Sequence, residues 1–538
     1  MSKTPSIDIR PDHWEIVRAI LEKHVPQYEV WAFGSRAKWT AKEFSDLDLA
    51  IITEKPLPVK VNAELSEAFE ESDLPYKVDV VDWAVTGEGF KRIISQQKVL
   101  AHHIEPNMLE GWATMSLSEA GVSLIDCDHK TPPTEDDGFP YVAIPQIKNG
   151  RIDIYSARKI SAKNFNEWTK KASPQPYDVV LSRRCNPGET AYVAPGTQFA
   201  LGQNLVLLRA NKDLTFPPYL RWLARSSMWW QQVEKYINVG AVFNSLKCAD
   251  IPKFQLPFPP YIEQRAIAHI LGTLDDKIEC NRRMNETLEA MARAIFKDWF
   301  VDFSPTRAKM EGRQPEGLSP EVAALFPDRL DDEGKPEGWE IKALDEIAEF
   351  LNGLALQKYP QANIDASLPV IKIAELRAGN ISSNSDRAAV SIESKYIVEA
   401  GDILFSWSGS LLLDVWTGSN GALNQHLFKV TSRFYPVWFH FYWIFVHMPT
   451  FQAIAKTKAT TMGHIQRHHL AEALVYVPTS DLISVGDEII GAFFAKIVQN
   501  RIYSQALATL RDTLLPKLVS GELRVKDAEK FVAEALDA

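Results

Sequence analysis

A long internal repeat constrains this 538-residue chain more than any other feature. Gly111-Trp112 opens one copy and Gly338-Trp339 the other, each followed by an apolar-patterned stretch, 115–125 and 341–350. Tyr177-Asp178-Val179-Val180-Leu181-Ser182 matches Gly401-Asp402-Ile403-Leu404-Phe405-Ser406, a strand running into a polar loop. Gly202-Gln203-Asn204-Leu205 corresponds to Asn424-Gln425-His426-Leu427. Leu246, Ile251 and Pro259 match Ile465, Leu470 and Pro478 at an offset of 219. A period of roughly 220 residues is far too long for a solenoid. Two equivalent globular halves are the reading it permits.

The offset of 219 continues into two helical stretches, where Ile270, Leu274, Ile278, Asn281 and Leu288 fall on Ile489, Phe493, Ile497, Asn500 and Leu507. Their apolar residues recur at 3-4 spacing, a seam that wants a partner helix. The bland alternative is that each helix caps its own half. A helix over 262–300 would be roughly 58 Å long at 1.5 Å per residue. Asn281 and Asn500 sit at equivalent places on the seam, where a polar residue costs stability but fixes register. Antiparallel pairing about a pseudo-twofold axis therefore predicts both near the crossing point. Between the copies, 304–338 is rich in Pro, Gly and charge and reads as a connector with a short helix at 320–325.

The four cysteines are far apart with no CxxC pair, which argues against both a disulfide scaffold and a zinc site. The first fourteen residues lack the apolar run of a signal peptide. The longest apolar run, 438–448, is too short to span a bilayer. A cytoplasmic location and no membrane partner are expected. Net charge is −10, yet residues 138–261 hold 16 Lys+Arg against 7 Asp+Glu. Local potential is what meets a phosphate backbone, so the balance permits nucleic-acid binding.

Residues 27–83 carry a separate constellation. A strand-like run ends in Gly34-Ser35-Arg36, and Asp46-Leu47-Asp48 follows, flanked by Leu49-Ala50-Ile51-Ile52. Residues i and i+2 of a strand face the same side, so Asp46 and Asp48 can converge on divalent metal. Asp79 on a further strand is the third candidate, with Asp82 as its alternative. Mg²⁺ takes carboxylate oxygen plus substrate phosphates, and a Gly-Ser turn lets backbone N–H groups approach a triphosphate. This pattern resembles the minimal nucleotidyltransferases of the DNA polymerase beta-like superfamily. The resemblance implies Asp46, Asp48 and Asp79 as catalytic metal ligands, Gly34, Ser35 and Arg36 as nucleotide-binding residues, and Mg²⁺ with a nucleoside triphosphate as cofactors. The fold kept only as an interaction module is the competing reading.

The stretch Trp299-Phe300-Val301-Asp302-Phe303-Ser304-Pro305-Thr306-Arg307-Ala308-Lys309-Met310-Glu311-Gly312, the Gly-Trp openings and Leu515-Pro516-Lys517-Leu518 closely resemble type I restriction-modification specificity subunits. Taken with the nucleotidyltransferase resemblance, that resemblance implies an α+β multidomain chain: a nucleotidyltransferase-like domain (1–105), recognition domain one (108–261), a spacer helix (262–303), a connector (304–337), recognition domain two (338–480) and a second spacer helix (481–525). It further implies double-stranded DNA, two methyltransferase subunits and restriction/translocase subunits as partners, with no chemistry in the recognition portion. No Asn-Pro-Pro-aromatic tetrad of an amino-methyltransferase and no GxxxxGK[ST] loop is present.

Base readout needs Arg for guanine and Asn or Gln for adenine. The matched loops offer Arg183, Arg184, Gln203, Asn204, Asn244 and Lys247 in the first copy. The second offers Ser406, Ser408, Asn424, Gln425, His426, Thr461, His464, Gln466 and Arg467. The rival expectations are a nucleotidyltransferase delivered to DNA by the repeats, or an antitoxin-type regulator.

Overall fold

Apolar residues at Val30 and Ala32, and at Leu47, Leu49 and Ile51, are buried against the apolar stripe Trp14, Val17 and Leu21 of an N-terminal helix. That helix, α1 (Pro11–His24), starts on a proline, whose missing N–H has no intrahelical role there. The architecture comes from a computed structural model that describes all residues except 1–6, 26–27, 43, 54–55, 103–110, 241–242, 361–366, 383, 458–462 and 538. The chain divides into two compact units, Met1–Ala268 with Pro516–Ala528, and His269–Leu515 with Glu529–Ala538.

In the first unit, β1 (Glu29–Phe33), β2 (Leu47–Ile52), β3 (Val78–Asp82) and β4 (Val99–His102) form one sheet in the order β3-β2-β1-β4. β1 runs antiparallel to β2, while β2 and β3 are parallel. Helices α2 (Gly34–Ala37), α3 (Val59–Glu70) and α4 (Glu88–Gln96) complete this small α/β module.

The first repeat is built on β5 (Val122–Asp126), β6 (Val179–Ser182), β7 (Thr190–Tyr192) and β8 (Leu205–Ala210), in the order β7-β6-β8-β5. Every residue of β6 is buried, as a strand covered on both faces requires. In the second unit, β9 (Glu349–Asn352), β10 (Ile403–Ser406), β11 (Leu413–Val415) and β12 (Leu427–Thr431) repeat that order as β11-β10-β12-β9, and β10 is again wholly buried. Both repeats also carry a short parallel pairing, Ala200 with Tyr141 and Ala422 with Val370.

The first long helix, α5, spans Tyr261–Phe300. The second repeat contains α6 (Val437–Thr457) and is followed by the second long helix, α7 (Ala492–Ser520). A single helix beginning at 481 was expected. The chain instead makes a short helix, Ser480–Gly486, and a π-turn, Asp487–Gly491, before α7. The cause lies in the indole of Trp438, which donates to Asp487 Oδ1 at 2.8 Å and packs on Gly486 and Gly491. A Cβ at Gly486 would meet that ring at 2.7 Å.

α5 and α7 pack against each other through a polar layer inside the apolar seam. Asn281 donates to Ser504 Oγ at 3.1 Å, and Asn500 donates to Asn285 Oδ1 at 2.9 Å. The offset of 219 carries Asn281 onto Asn500 and Asn285 onto Ser504, so the two contacts are the same contact about a pseudo-twofold axis. Residue numbers rise on one helix as they fall on the other, which makes the pair antiparallel. Asn281 and Asn500 lie in one layer at the crossing, each bonded to a residue that the sequence pattern did not single out.

One buried group ties this core to acidity. His440 on α6 is 1% exposed, and neither ring nitrogen has a hydrogen-bond partner among the described residues. Burial lowers it from 6.5 to about 4. The unfolded chain therefore takes up a proton that the folded chain refuses. Stability is lost as pH falls from about 6.5 toward 4, by on the order of 3 kcal/mol. His440→Phe is expected to flatten that part of the stability-pH curve for the second repeat, measured by denaturant titration. An unchanged acid limb would contradict this account.

Candidate functional site

The acidic site forms where β1 ends. Leu47 and Leu49 point into the core, so the intervening Asp48 and the preceding Asp46 face outward. The parallel register places Asp79 of β3 directly beside Asp48. Phe33, the last residue of β1, is opposite Asp48 across the other edge. Gly34 then turns with φ +75°, and a Cβ there would lie 2.1 Å from Asp48 Oδ2. Only glycine allows the backbone to approach that carboxylate so closely.

Burial raises the Asp48 pKa, and the charges of Asp79 and Asp46 raise it further. Such a cluster of anions is stabilised by a cation. Lys77 meets Asp79 Oδ1 at 2.5 Å and is itself raised by it. The three carboxylates do not all come within 4.8 Å of one another. The donor set fits a hard divalent ion, which takes carboxylate oxygen with substrate phosphate and water.

Asp82 is occupied otherwise. It accepts from Leu57 N at 2.7 Å and Ala84 N at 3.0 Å and pairs with Thr53 Oγ1, so it caps a turn. Arg36 is engaged within the module as well. It is 5% exposed, donates to the carbonyls of Ser45 and Asp8 at 2.9 and 2.8 Å, and lies over the Tyr76 ring. Its part is to hold the Asp46 loop against the module. Ser35, next to Gly34, is partly exposed at the start of α2.

The second candidate site occurs twice. In the first repeat three loops meet at the end of β6. Arg183 N donates to Asn204 O at 2.9 Å, and Leu246 N donates to Arg183 O at 2.8 Å. Leu205 N donates to Gly202 O, and Arg184 bridges to Ser245. In the second repeat Trp407 N donates to His426 O at 3.4 Å, Ile465 N to Trp407 O at 2.9 Å and Leu427 N to Asn424 O at 3.0 Å. Ser408 bridges to His464. Cys185 and Gly409 take the same left-handed conformation, φ +64° and +68°. One backbone cradle is built twice.

The equivalence reaches one pair of side chains. Arg183 Nη2 lies 3.8 Å from Asp126 Oδ1 at the end of β5. Trp407 Nε1 donates to Asn352 Oδ1 at 2.9 Å at the end of β9. These side chains anchor the cradle.

The matched loops therefore divide into supports and exposed groups. Ser406, Ser408 and Asn424 are 0%, 3% and 6% exposed. Ser406 Oγ donates to Ser410 O, Ser408 Oγ lies 2.8 Å from His426 Nδ1, and Asn424 Oδ1 accepts from His426 N. Ser406, Ser408 and Asn424, buried and engaged in this way, shape the loops, and the half-buried Arg183 lies beside Asp126. Arg184, Gln203, Asn244 and Lys247 in the first copy, and Gln466 and Arg467 in the second, are exposed. Asn204, Gln425, His426 and His464 are half-buried, and the amide of Gln425 lies 3.3 Å from His426 Nε2. Thr461 falls outside the described residues.

Cys127 follows Asp126 and is fully buried, with burial and the Asp126 charge pushing its thiol up. Because the thiolate is the nucleophile, iodoacetamide near neutral pH is expected to label exposed Cys185 and Cys280 well before Cys127. Peptide mass spectrometry over time checks this. Equal labelling rates for Cys127 and Cys185 would contradict the packing.

These two geometries meet known proteins directly. Residues 110–290 and 336–509 match the family model described as type I restriction modification DNA specificity domain. The chain belongs to that family. Residues 15–105 match the polymerase beta nucleotidyltransferase model, so the specificity-subunit portion is fused to a nucleotidyltransferase-like domain. The type I restriction enzyme MjaIX specificity subunit of Methanocaldococcus jannaschii is 27% identical over 326 residues, 59% of this chain and 71% of that one. The HindI specificity subunit of Haemophilus influenzae is 24% identical over 64% of this chain and 86% of its own. A probable protein adenylyltransferase, MntA of Haemophilus influenzae, is 50% identical over 105 residues, 20% of this chain and 92% of its length. No helix among the described residues is long and apolar enough to cross a membrane.

Proposed function

We propose that the chain is the DNA-reading subunit of a type I restriction-modification complex, with each cradle reading one half of a bipartite duplex site. The observation that carries this reading is the cradle itself: the same three loops, held by the same backbone hydrogen bonds, present different polar side chains in each repeat. A shared frame with changed side chains is what reading two different half-sites requires. Methyltransferase and restriction subunits are the partners, and the α5–α7 pair gives them a rigid element to assemble on. The domain limits are those read from the sequence, 1–105 for the N-terminal module and 108–525 for the remainder.

In the same proposal the N-terminal module transfers a nucleotidyl group, an adenylyl group by its likeness to MntA, to a protein hydroxyl. Asp46, Asp48 and Asp79 would hold Mg²⁺, which supplies charge neutralisation for the triphosphate and for the departing pyrophosphate. Gly34 and Ser35 bring backbone N–H groups to the phosphates, and Arg36 fixes the loop that carries Asp46. Lys77, paired with Asp79, orients that carboxylate beside Asp48.

The test is co-expression with a candidate methyltransferase subunit from the same host. The account expects a stable complex and a bipartite methylated motif that vanishes when this chain is deleted. A motif that persists without the chain would overturn it.

A further inference from the structure

Resting on the reading of the cradles as DNA readers, we infer that both recognition domains use one positional code, in which four spatially equivalent positions present or orient the groups that set the bases of each half-site. The positions are Arg184 and Ser408, Asn204 and His426, Ser245 and His464, and Lys247 and Gln466.

Their equivalence follows from the hydrogen bonds. Asn204 and His426 supply the carbonyl that accepts from the same backbone N–H, on Arg183 and Trp407. Ser245 and His464 form the bridge with Arg184 and Ser408. Lys247 and Gln466 each come one residue after the N–H that closes the cradle, on Leu246 and Ile465. Each position is thus fixed by main chain that does not depend on its side chain. Exchanging side chains leaves the frame in place.

What differs is the chemistry offered. The first cradle presents two exposed cations, Arg184 and Lys247, and two short polar groups. Arg or Lys pairs with guanine O6 and N7, so the first half-site is assigned a guanine under this cradle. The second presents no Lys or Arg at these positions. Ser408 is buried and acts as a positioning residue, lying 2.8 Å from His426 Nδ1 while the Gln425 amide lies 3.3 Å from Nε2. Gln466 is exposed and suited to adenine N6 and N7. The second half-site is therefore read by amide and imidazole, without Lys or Arg at these four positions.

The experiment transplants the code in the full chain, with its methyltransferase. Arg184→Ser, Asn204→His, Ser245→His and Lys247→Gln are combined, and the preferred motif is selected from duplexes randomised in the first half. The expected result is that one or more base pairs of the first half change to those of the second half, which itself stays the same. Unchanged first-half preference, or a change in the second half, overturns the code. Should the combined variant not bind, Arg184→Ser and Lys247→Gln alone decide the matter, since both side chains are exposed. Each is expected to relax one base position about ten-fold or more. A uniform loss across all sequences would mark a phosphate contact and overturn the assignment. Failure of the underlying reading looks different: the unaltered chain would then select no bipartite motif.

Discussion

Replacing Gly34 with alanine is expected to reduce metal-dependent nucleotidyl transfer by about 100-fold or more. The added methyl would lie 2.1 Å from Asp48 Oδ2, at a φ of +75° that alanine tolerates poorly. Either Asp48 swings away or the turn opens, and a displacement of about 1 Å at a metal ligand costs on the order of 10²-fold. Asp48→Asn and Asp46→Asn are expected to match or exceed that loss, because a neutral amide is a poorer Mg²⁺ ligand. Gly87→Ala is the control: no atom lies within 4 Å of a Cβ there. The readout is transfer of radiolabel from ATP to a protein acceptor. Full activity in the Gly34 variant would mean that the close approach of backbone and carboxylate has no part in the chemistry. An intact chain that binds nucleotide without metal, and transfers to no candidate, would favour the interaction-module reading.

The second large effect concerns the helix pair. Arg511 of α7 donates to Asp275 of α5 at 2.7 Å, with side chains 13% and 3% exposed. Removing one member of a buried ion pair leaves the other charge in a poor environment, at a cost of about 3 to 5 kcal/mol. Arg511→Met is therefore expected to lower the unfolding midpoint of the second unit sharply. Asp275→Leu combined with Arg511→Met is expected to recover most of the loss, since well-packed apolar replacements of such pairs are often neutral. Chemical denaturation of the single and double variants separates these outcomes. A single variant as stable as the parent would show that the pair is solvated rather than buried.

Much of this architecture is legible in the sequence because it repeats. An offset shared by apolar positions, Asn281 and Asn500 reports a common fold and a common seam without any knowledge of contacts. Asp-x-Asp on an apolar strand is equally direct, since strand alternation alone puts both carboxylates on one side. The partners of the two asparagines were not legible: Asn285 and Ser504 differ in type, so the repeat hides their equivalence until the helices are paired. Ser406, Ser408 and Asn424 are polar and lie in the right loops, yet each is turned inward by hydrogen bonds to main chain or to His426. Arg36 is engaged in the same way, its cation used by the Ser45 and Asp8 carbonyls. Composition cannot tell a support from a reader when both are small and polar. The π-turn before α7 was hidden because it depends on Trp438, about fifty residues earlier in the chain.

The central claim is that each repeat reads its own half of the site, and one measurement addresses it most directly. Residues 110–261 are exchanged for the corresponding segment of another specificity subunit, and the methylated motif of the host genome is sequenced before and after. The account predicts that one half of the bipartite motif changes completely and the other half is untouched. A motif altered in both halves, or in neither, would contradict it.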